Sequence, residues 1–198
     1  MPLDDSAISS DRQIEQPESL CILRLSAIGD VTHVVPVVRT LQSHWPRTAI
    51  TWVLGKTEAA LVGDIDGVEP IIIDKRDGLL GAARSLRNQL GRRRCEVLLN
   101  MQASWRANLL CRQINARRRI GFDRWRARNA QRLFSNETIG GPQRVHMLDG
   151  FFQFVEVLGL YGRELRWDIP VPEQVRERVA GWLPPAAPVL VISPCSSI

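Results

Sequence analysis

From residue 20 onward the hydrophobic positions of the chain follow two alternating patterns. Short runs that are apolar at nearly every position, CILRLS (21–26), AITWVL (49–54), EPIIIDK (69–75) and EVLLNM (96–101), read as strands buried on both faces. Between them lie stretches with apolar residues at helical spacing. In residues 31–44, Val34, Val37, Val38 and Leu41 recur at i, i+3, i+4 and i+7, which predicts a helix, and Pro36 fits only its first turns or a kink. Residues 58–62, 79–90 and 105–114 predict three more helices. Apolar strands joined by helical crossovers predict the α/β class, with a Rossmann-like doubly wound parallel sheet covered on both faces.

The later chain adds a short strand at 119–122 and a strong helix at 147–158, with Leu148, Phe151, Phe152, Val155 and Leu158 on one stripe and Gly159 at its end. An amphipathic helix at 173–183 follows WDIPVP, and PVLVIS (188–193) then opens a new β-α-β pattern shortly before Ile198. A parallel strand without crossover helix or neighbours cannot bury its two faces, so the expectation is a second domain of which only the start is present. Residues 1–19 carry Asp4, Asp5, Glu15 and Glu18 and lack a basic start or hydrophobic middle, which predicts a flexible extension and not a secretory signal. The expected organisation is thus an extension at 1–19, a Rossmann-like domain at 20–170, a linker helix at 171–187 and the first strand of a truncated domain at 188–198.

Composition narrows the class. With 198 residues, 44% of them hydrophobic, the chain can bury the core of one domain or slightly more. No apolar run approaches the roughly 18 residues of a membrane-spanning helix, which points to a soluble protein. Cys21, Cys95, Cys111 and Cys195 form no C-x-x-C and have no His at metal spacing. That argues against disulfides and zinc, and suits a reducing cytoplasm.

Charge is the sharper signal. Of 26 basic residues 24 are arginine, and 14 of these fall between Arg84 and Arg132, where only Glu96 and Asp123 oppose them. Such a bias points to an anionic partner: phosphates on a small substrate, nucleic acid or an acidic membrane surface. The bland alternative is a solvated basic face.

Two strand-end turns could carry chemistry. After the first strand comes SAIGD, in which Ser26 and Gly29 allow a tight turn and Asp30 can cap the following helix at the edge where open α/β sheets bind ligands. After the fourth comes NMQASWRANLL, in which Gln102, Ser104 and Arg106 lead into a helix N-terminus, a natural anion site. The run ARRRIGFD adds Arg117, Arg118 and Arg119. There is no G-x-G-x-x-G and no P-loop, and His33, His44 and His146 have no nucleophile in a triad-like context. Trp105 and Trp125 interleave with arginines in a way that suits base stacking, without a recognised nucleic-acid module around them.

Four ordered segments, CILRLSAIGDVTHVVPVVRTLQSHWP, NMQASWRANLLCRQINARRRIGFDRWRAR, HMLDGFFQFVEVLGL and the terminal VISPCSS, resemble the bacterial lipopolysaccharide heptosyltransferases, the ADP-heptose-using glycosyltransferase family 9. The resemblance implies a GT-B fold, two Rossmann-like domains across a cleft, with this chain supplying the N-terminal, acceptor-binding half. It implies an inverting, metal-independent transfer of heptose from ADP-heptose to a Kdo-lipid A type acceptor, with no cofactor, in the cytoplasm and peripheral at the anionic inner face of the membrane. Asp30 becomes the general base, with Ser26, Gly29, Gln102, Ser104, Arg106, Arg117, Arg118 and Arg119 around the acceptor and Ser193, Ser196 and Ser197 toward the donor. The chain departs from the family pattern at Asn100, Ala103 and Arg106, where D-x-Q-G and a Lys are usual, and at Cys195, where S-P-G is usual. Two alternatives stand beside this reading: a basic nucleic-acid-binding α/β module, marked by steep salt dependence, and an inactive truncated product.

Overall fold

The computed structural model describes residues 15–183 and 188–190. Six strands, β1 (Ser19–Leu23), β2 (Ala49–Gly55), β3 (Val68–Ile73), β4 (Cys95–Asn100), β5 (Ala116–Gly121) and β6 (Glu137–Thr138), form one sheet in the order β3-β2-β1-β4-β5-β6, with every pairing parallel. Helices α1 (Ile28–His44), α2 (Lys56–Val62), α3 (Gly78–Leu90), α4 (Trp105–Cys111), α5 (Met147–Glu156) and α6 (Glu173–Ala180), with 3-10 turns at Lys75–Asp77 and Gln131–Leu133, complete the described elements. The predicted doubly wound α/β architecture is what the chain adopts.

The central strands are apolar throughout because both faces are covered. In β1, Leu20 and Ile22 enter a core shared with Val34, Val38 and Leu41 of α1 and Phe151 and Phe152 of α5. Cys21 and Leu23 enter the opposite core, with Ala82 and Leu86 of α3 and Leu110 of α4. Helices therefore change faces where the chain crosses from β3 to β4, and β1 and β4 lie side by side at the reversal. Leu23 is level with both Val53 and Asn100, so the turns after β1, β2 and β4 open at one height on the carboxyl edge.

Pro36 lies in the middle of α1, beyond its first turns. Lacking an N–H, it leaves the Thr32 carbonyl without its helical donor. The Trp167 indole supplies one, its Nε1 donating to Thr32 O at 3.0 Å. The same strap of chain donates Glu164 N to Thr40 Oγ1 at 2.9 Å and pairs Asp168 with Arg39 at 2.8 Å. After α5, Gly159 takes a φ of +80°, and Leu160 N closes back on the Val155 carbonyl at 3.0 Å.

Several predicted boundaries shift for local reasons. Helix α1 starts at Ile28, three residues early, with Ala27 as a cap that contributes no side-chain hydrogen bond. Strand β3 ends at Ile73, where Asp74 accepts from Arg76 N and turns Lys75–Asp77 into a 3-10 turn. Strand β5 begins at Ala116 and includes the arginine run, which its outer position in the sheet allows to stay partly solvated. The two-residue β6 gave no readable pattern. Helix α4 stops at Cys111 and α6 at Ala180. Residues before Leu20 also make contacts: Thr48 Oγ1 donates to Pro17 O at 2.6 Å and Glu18 N to Glu96 at 2.7 Å. None of the residues of α6 is buried. The strand expected at 188–193 falls largely outside the described residues, and Val189 and Leu190 are exposed.

Candidate active site at the carboxyl edge

Arg24 extends β1 into the turn, and its side chain is only 10% exposed. A guanidinium there needs partners. One terminal nitrogen donates to Met101 O at 2.6 Å, at the end of β4, and the other pairs with the Asp30 carboxylate. The group also lies 5.2 Å over the Phe151 ring. Burial pushes the Arg24 pKa down from its usual range, and the charge and hydrogen bond of Asp30 oppose that fall. Asp30 sits in the first turn of α1, where the helix dipole favours an anion. It is therefore not the N-cap that its position in the sequence suggested. Its side chain is 31% exposed, so the carboxylate is held by Arg24 and still reachable from solvent.

The turn after β4 closes against the turn after β1. Gln102 accepts from Leu25 N at 2.7 Å and donates to Ser26 Oγ at 3.2 Å, while Ser104 caps α4 by accepting from Ala107 N at 3.3 Å. Arg106 reaches across to the Lys75 and Gly78 carbonyls at 3.0 and 2.8 Å. Beneath, buried amides hold the loop: Asn100 donates to Asn108 at 3.3 Å, Asn108 to Asn129 O at 2.8 Å and Gln131 to Asn100 O at 2.9 Å. Ser26, Gly55, Lys75, Gln102, Ser104 and Arg106 surround a pocket of about 150 Å³. Gly55 must stay small, because a Cβ there would lie 2.3 Å from Glu58 Oε2 and 2.5 Å from Leu25 O. Glu58, 3% exposed, holds Lys75 Nζ at 3.3 Å.

The structure thus brings Ser26, Gln102, Ser104 and Arg106 to one pocket and places Gly29 and Asp30 on the adjoining turn. Arg117, Arg118 and Arg119 are not there, which corrects the expectation that they share the crevice. Parallel register sets Arg118 beside Val97 and Arg119 beside Leu98, in the body of the sheet before its carboxyl end. Arg118 is held by Glu137 through two hydrogen bonds of 2.8 and 2.7 Å, Arg119 donates to Ile114 O at 2.9 Å, and Arg117 is exposed. A larger concavity, about 370 Å³, opens beside Arg112 and Arg119, away from the strand-end turns. Ser193, Ser196 and Ser197 lie outside the described residues.

His33 and His146 meet edge to face at 5.4 Å, and His146 caps α5 by accepting from Leu148 N. Cys21, Cys95 and Cys111 are buried free thiols, and burial pushes Cys111 up to about 11. Among the described residues no group of three or more His, Cys, Asp or Glu side chains is placed to hold a metal ion. Sequence reasoning missed Arg24, Glu58, Asn108 and Gln131. For the first there was a signal, a lone arginine inside an apolar strand run.

Comparison with known proteins agrees with this architecture. The chain is 41% identical over 183 residues to the lipopolysaccharide core heptosyltransferase OpsX of Haemophilus influenzae, a match that covers 92% of this chain and 52% of the relative. In fold it resembles a glycosyl transferase family 9 protein from Veillonella parvula, with TM-score 0.73, 18% identity and coverage of 85% of this chain and 51% of the other. It also resembles the E. coli heptosyltransferase WaaC with ADP-2-deoxy-2-fluoro heptose, with TM-score 0.65, 20% identity and coverage of 76% and 51%. The chain spans about half the length of these relatives. The family model for glycosyltransferase family 9 (heptosyltransferase) matches residues 83–198, more than half of the chain, and the chain belongs to that family.

Proposed function

We propose that this chain is the acceptor-binding part of an inverting, metal-independent heptosyltransferase that transfers heptose from ADP-heptose to a Kdo-lipid A type core. The observation that carries the reading is the Asp30 carboxylate, held by the buried Arg24 at the reversal of the sheet, beside a pocket lined by hydroxyl, amide and cationic groups. In open α/β sheets that crevice is where ligands bind. The relative OpsX is named as a lipopolysaccharide core heptosyltransferase, and its likeness to this chain supports the same substrates here.

An acceptor hydroxyl has a pKa near 15 and needs a carboxylate within about 3 Å as it attacks. Asp30 takes that proton while the oxygen bonds to the anomeric carbon and ADP departs with the electron pair of the broken bond. Arg24 keeps the carboxylate in place through the transfer. Ser26, Gln102, Ser104, Lys75 and Arg106 orient the acceptor, with the cations facing its anionic groups. In the same proposal residues 20–170 form the acceptor domain, 171–187 the linker and 188–198 the start of the donor domain, with Ser193, Ser196 and Ser197 toward the ADP-heptose. No further cofactor enters the scheme.

The acceptor is a lipid, so the proposal sets the protein at the inner face of the cytoplasmic membrane as a peripheral partner of anionic lipid. No helix among the described residues is long and apolar enough to cross a membrane. The test is Asp30→Asn in a full-length protein, with product from ADP-heptose and heptose-free acceptor followed by mass. Turnover should fall at least about a hundredfold at a temperature where the variant, destabilised by the loss of the anion beside Arg24, is still fully folded, and near-normal turnover removes Asp30 from catalysis.

A further inference from the structure

The arginine run of β5 does not reach the crevice, yet one of its members lines a cavity of its own. The groove of about 370 Å³ beside α4 is walled by Arg112, Arg119, Leu133, Phe134, Ser135 and Asn136. Arg112 follows the last residue of α4, Arg119 stands inside β5, and the other four residues lead into β6. Asn136 fixes that last segment to the strand. Its N–H donates to Arg119 O at 3.0 Å, its side-chain oxygen accepts from Arg119 N at 2.7 Å, and its Nδ2 donates to Arg117 O at 2.8 Å. Gly121 lets Ser135 lie against β5, since a Cβ there would clash with Ser135 Oγ. The Cys111 thiol ties the same segment to α4 by donating to Phe134 O at 3.4 Å.

The charge of this groove is unbalanced. Arg119 gives one terminal nitrogen to Ile114 O at 2.9 Å, and its Nε is enclosed without an acceptor. A guanidinium partly withdrawn from water in this way favours an anionic partner. The protein supplies none. Among the described residues no carboxylate pairs with Arg112 or Arg119; Glu137, next to Asn136, is held by Arg118, and Asp123 by Arg126. The Leu110 and Cys111 carbonyls at the end of α4 would repel an anion if they were free, but Gln113 N and Ile114 N occupy them at 2.9 and 3.3 Å. Leu133, 82% exposed, and the half-buried Phe134 give the groove one apolar side. Two guanidinium groups, a hydroxyl and an apolar wall in a cavity of this volume suit a small phosphate ester. Its phosphate oxygens would take the forked N–H groups, and its carbon body would lie along Leu133 and Phe134.

We infer that the groove between Arg112 and Arg119 binds a soluble phosphomonoester, at a site separate from the crevice. Arg119 is in register with Leu98, in the body of the sheet, so the ligand lies on the α4 flank and not above the strand ends. None of the residues that hold it takes part in the proposed transfer, and the two readings stand or fall separately.

Nuclear magnetic resonance of the nitrogen-15-labelled 198-residue chain tests the site. Glucose 6-phosphate, inorganic phosphate and glucose are each added at one fixed ionic strength and at about pH 7.5, where the ester is largely a dianion. Glucose 6-phosphate should shift the Arg119 Nε–H and the backbone amides of Ser135 and Asn136 along one saturating curve. Inorganic phosphate should bind there at least about threefold more weakly, for want of the apolar contact, and glucose should leave the signals in place. Arg112→Ser, at an exposed position, should weaken glucose 6-phosphate at least about fivefold with unchanged melting. Arg119→Gln should abolish the shifts of Ser135 and Asn136, while Arg106→Ala, in the other pocket, should leave the curve within about twofold. Shifts that glucose also produces, that show no preference over inorganic phosphate, that spread over the arginine surface without saturating, that gather on residues 102–106, or that persist unchanged in Arg112→Ser overturn the inference.

Discussion

Arg24 and Asp30 act as a unit because each supplies what the other lacks. The buried guanidinium needs an anion, and a carboxylate in the first turn of a helix needs a fixed partner to hold one orientation toward a substrate. Arg24→Met leaves the Met101 carbonyl without its side-chain donor and should cost about 1 to 3 kcal/mol by urea unfolding, together with a loss of turnover. Arg24→Lys keeps the charge but not the fork that reaches two partners, and should recover only part of both. A methionine variant as stable and active as the unchanged protein contradicts this pairing. Asp30, Gln102, Ser104 and Arg106 were legible in the sequence because strand-end turns are local features. Gln131, Asn108 and the Arg24–Met101 contact were not, since Gln131 and Asn100 are 31 positions apart and Arg24 and Met101 are 77 apart. The arginines at 117–119 misled for the opposite reason: their charge was visible, but the register that carries them away from the crevice was not.

Among the elements, α1 depends on a residue far along the chain. Trp167→Phe removes the donor to Thr32 O and should cost about 1 kcal/mol. In a Pro36→Ala background the restored N–H competes for that carbonyl, so the same change should cost close to nothing. Equal costs in both backgrounds would break the link between the proline and the indole. On the other side of the sheet, β6 is tied to β5 by Glu137, whose carboxyl the two Arg118 hydrogen bonds hold below the usual range. A depressed folded-state pKa gives stability that is complete above the unfolded value, about 4.3, and lost as pH falls through the folded one. The stability gap between the unchanged chain and Glu137→Gln should therefore narrow from about pH 6 toward pH 3, and a constant gap would contradict it. The central strands and the helices were readable from periodicity because packing on two faces demands it. Strand β5 was read short and β6 missed because outer strands tolerate polar residues.

At the scale of the whole molecule, charge and fold divide the labour. The sheet sets two turns at its reversal; the first leads to a carboxylate fixed by Arg24, and beside it lies a pocket whose polar lining comes from Ser26, Lys75, Gln102, Ser104 and Arg106. The arginine excess that dominates the composition is spread over two edges of the sheet, and only part of it adjoins that crevice. The chain spans about half the length of its relatives, and in the proposed scheme this half holds the acceptor. Equilibrium binding tests it most directly, with the 198-residue chain titrated against deacylated Kdo-type core oligosaccharide and, separately, against ADP. The oligosaccharide should bind, and Arg106→Ala should weaken it at least about tenfold, while ADP binds far more weakly. Tight binding of ADP with none of the oligosaccharide would contradict the assignment.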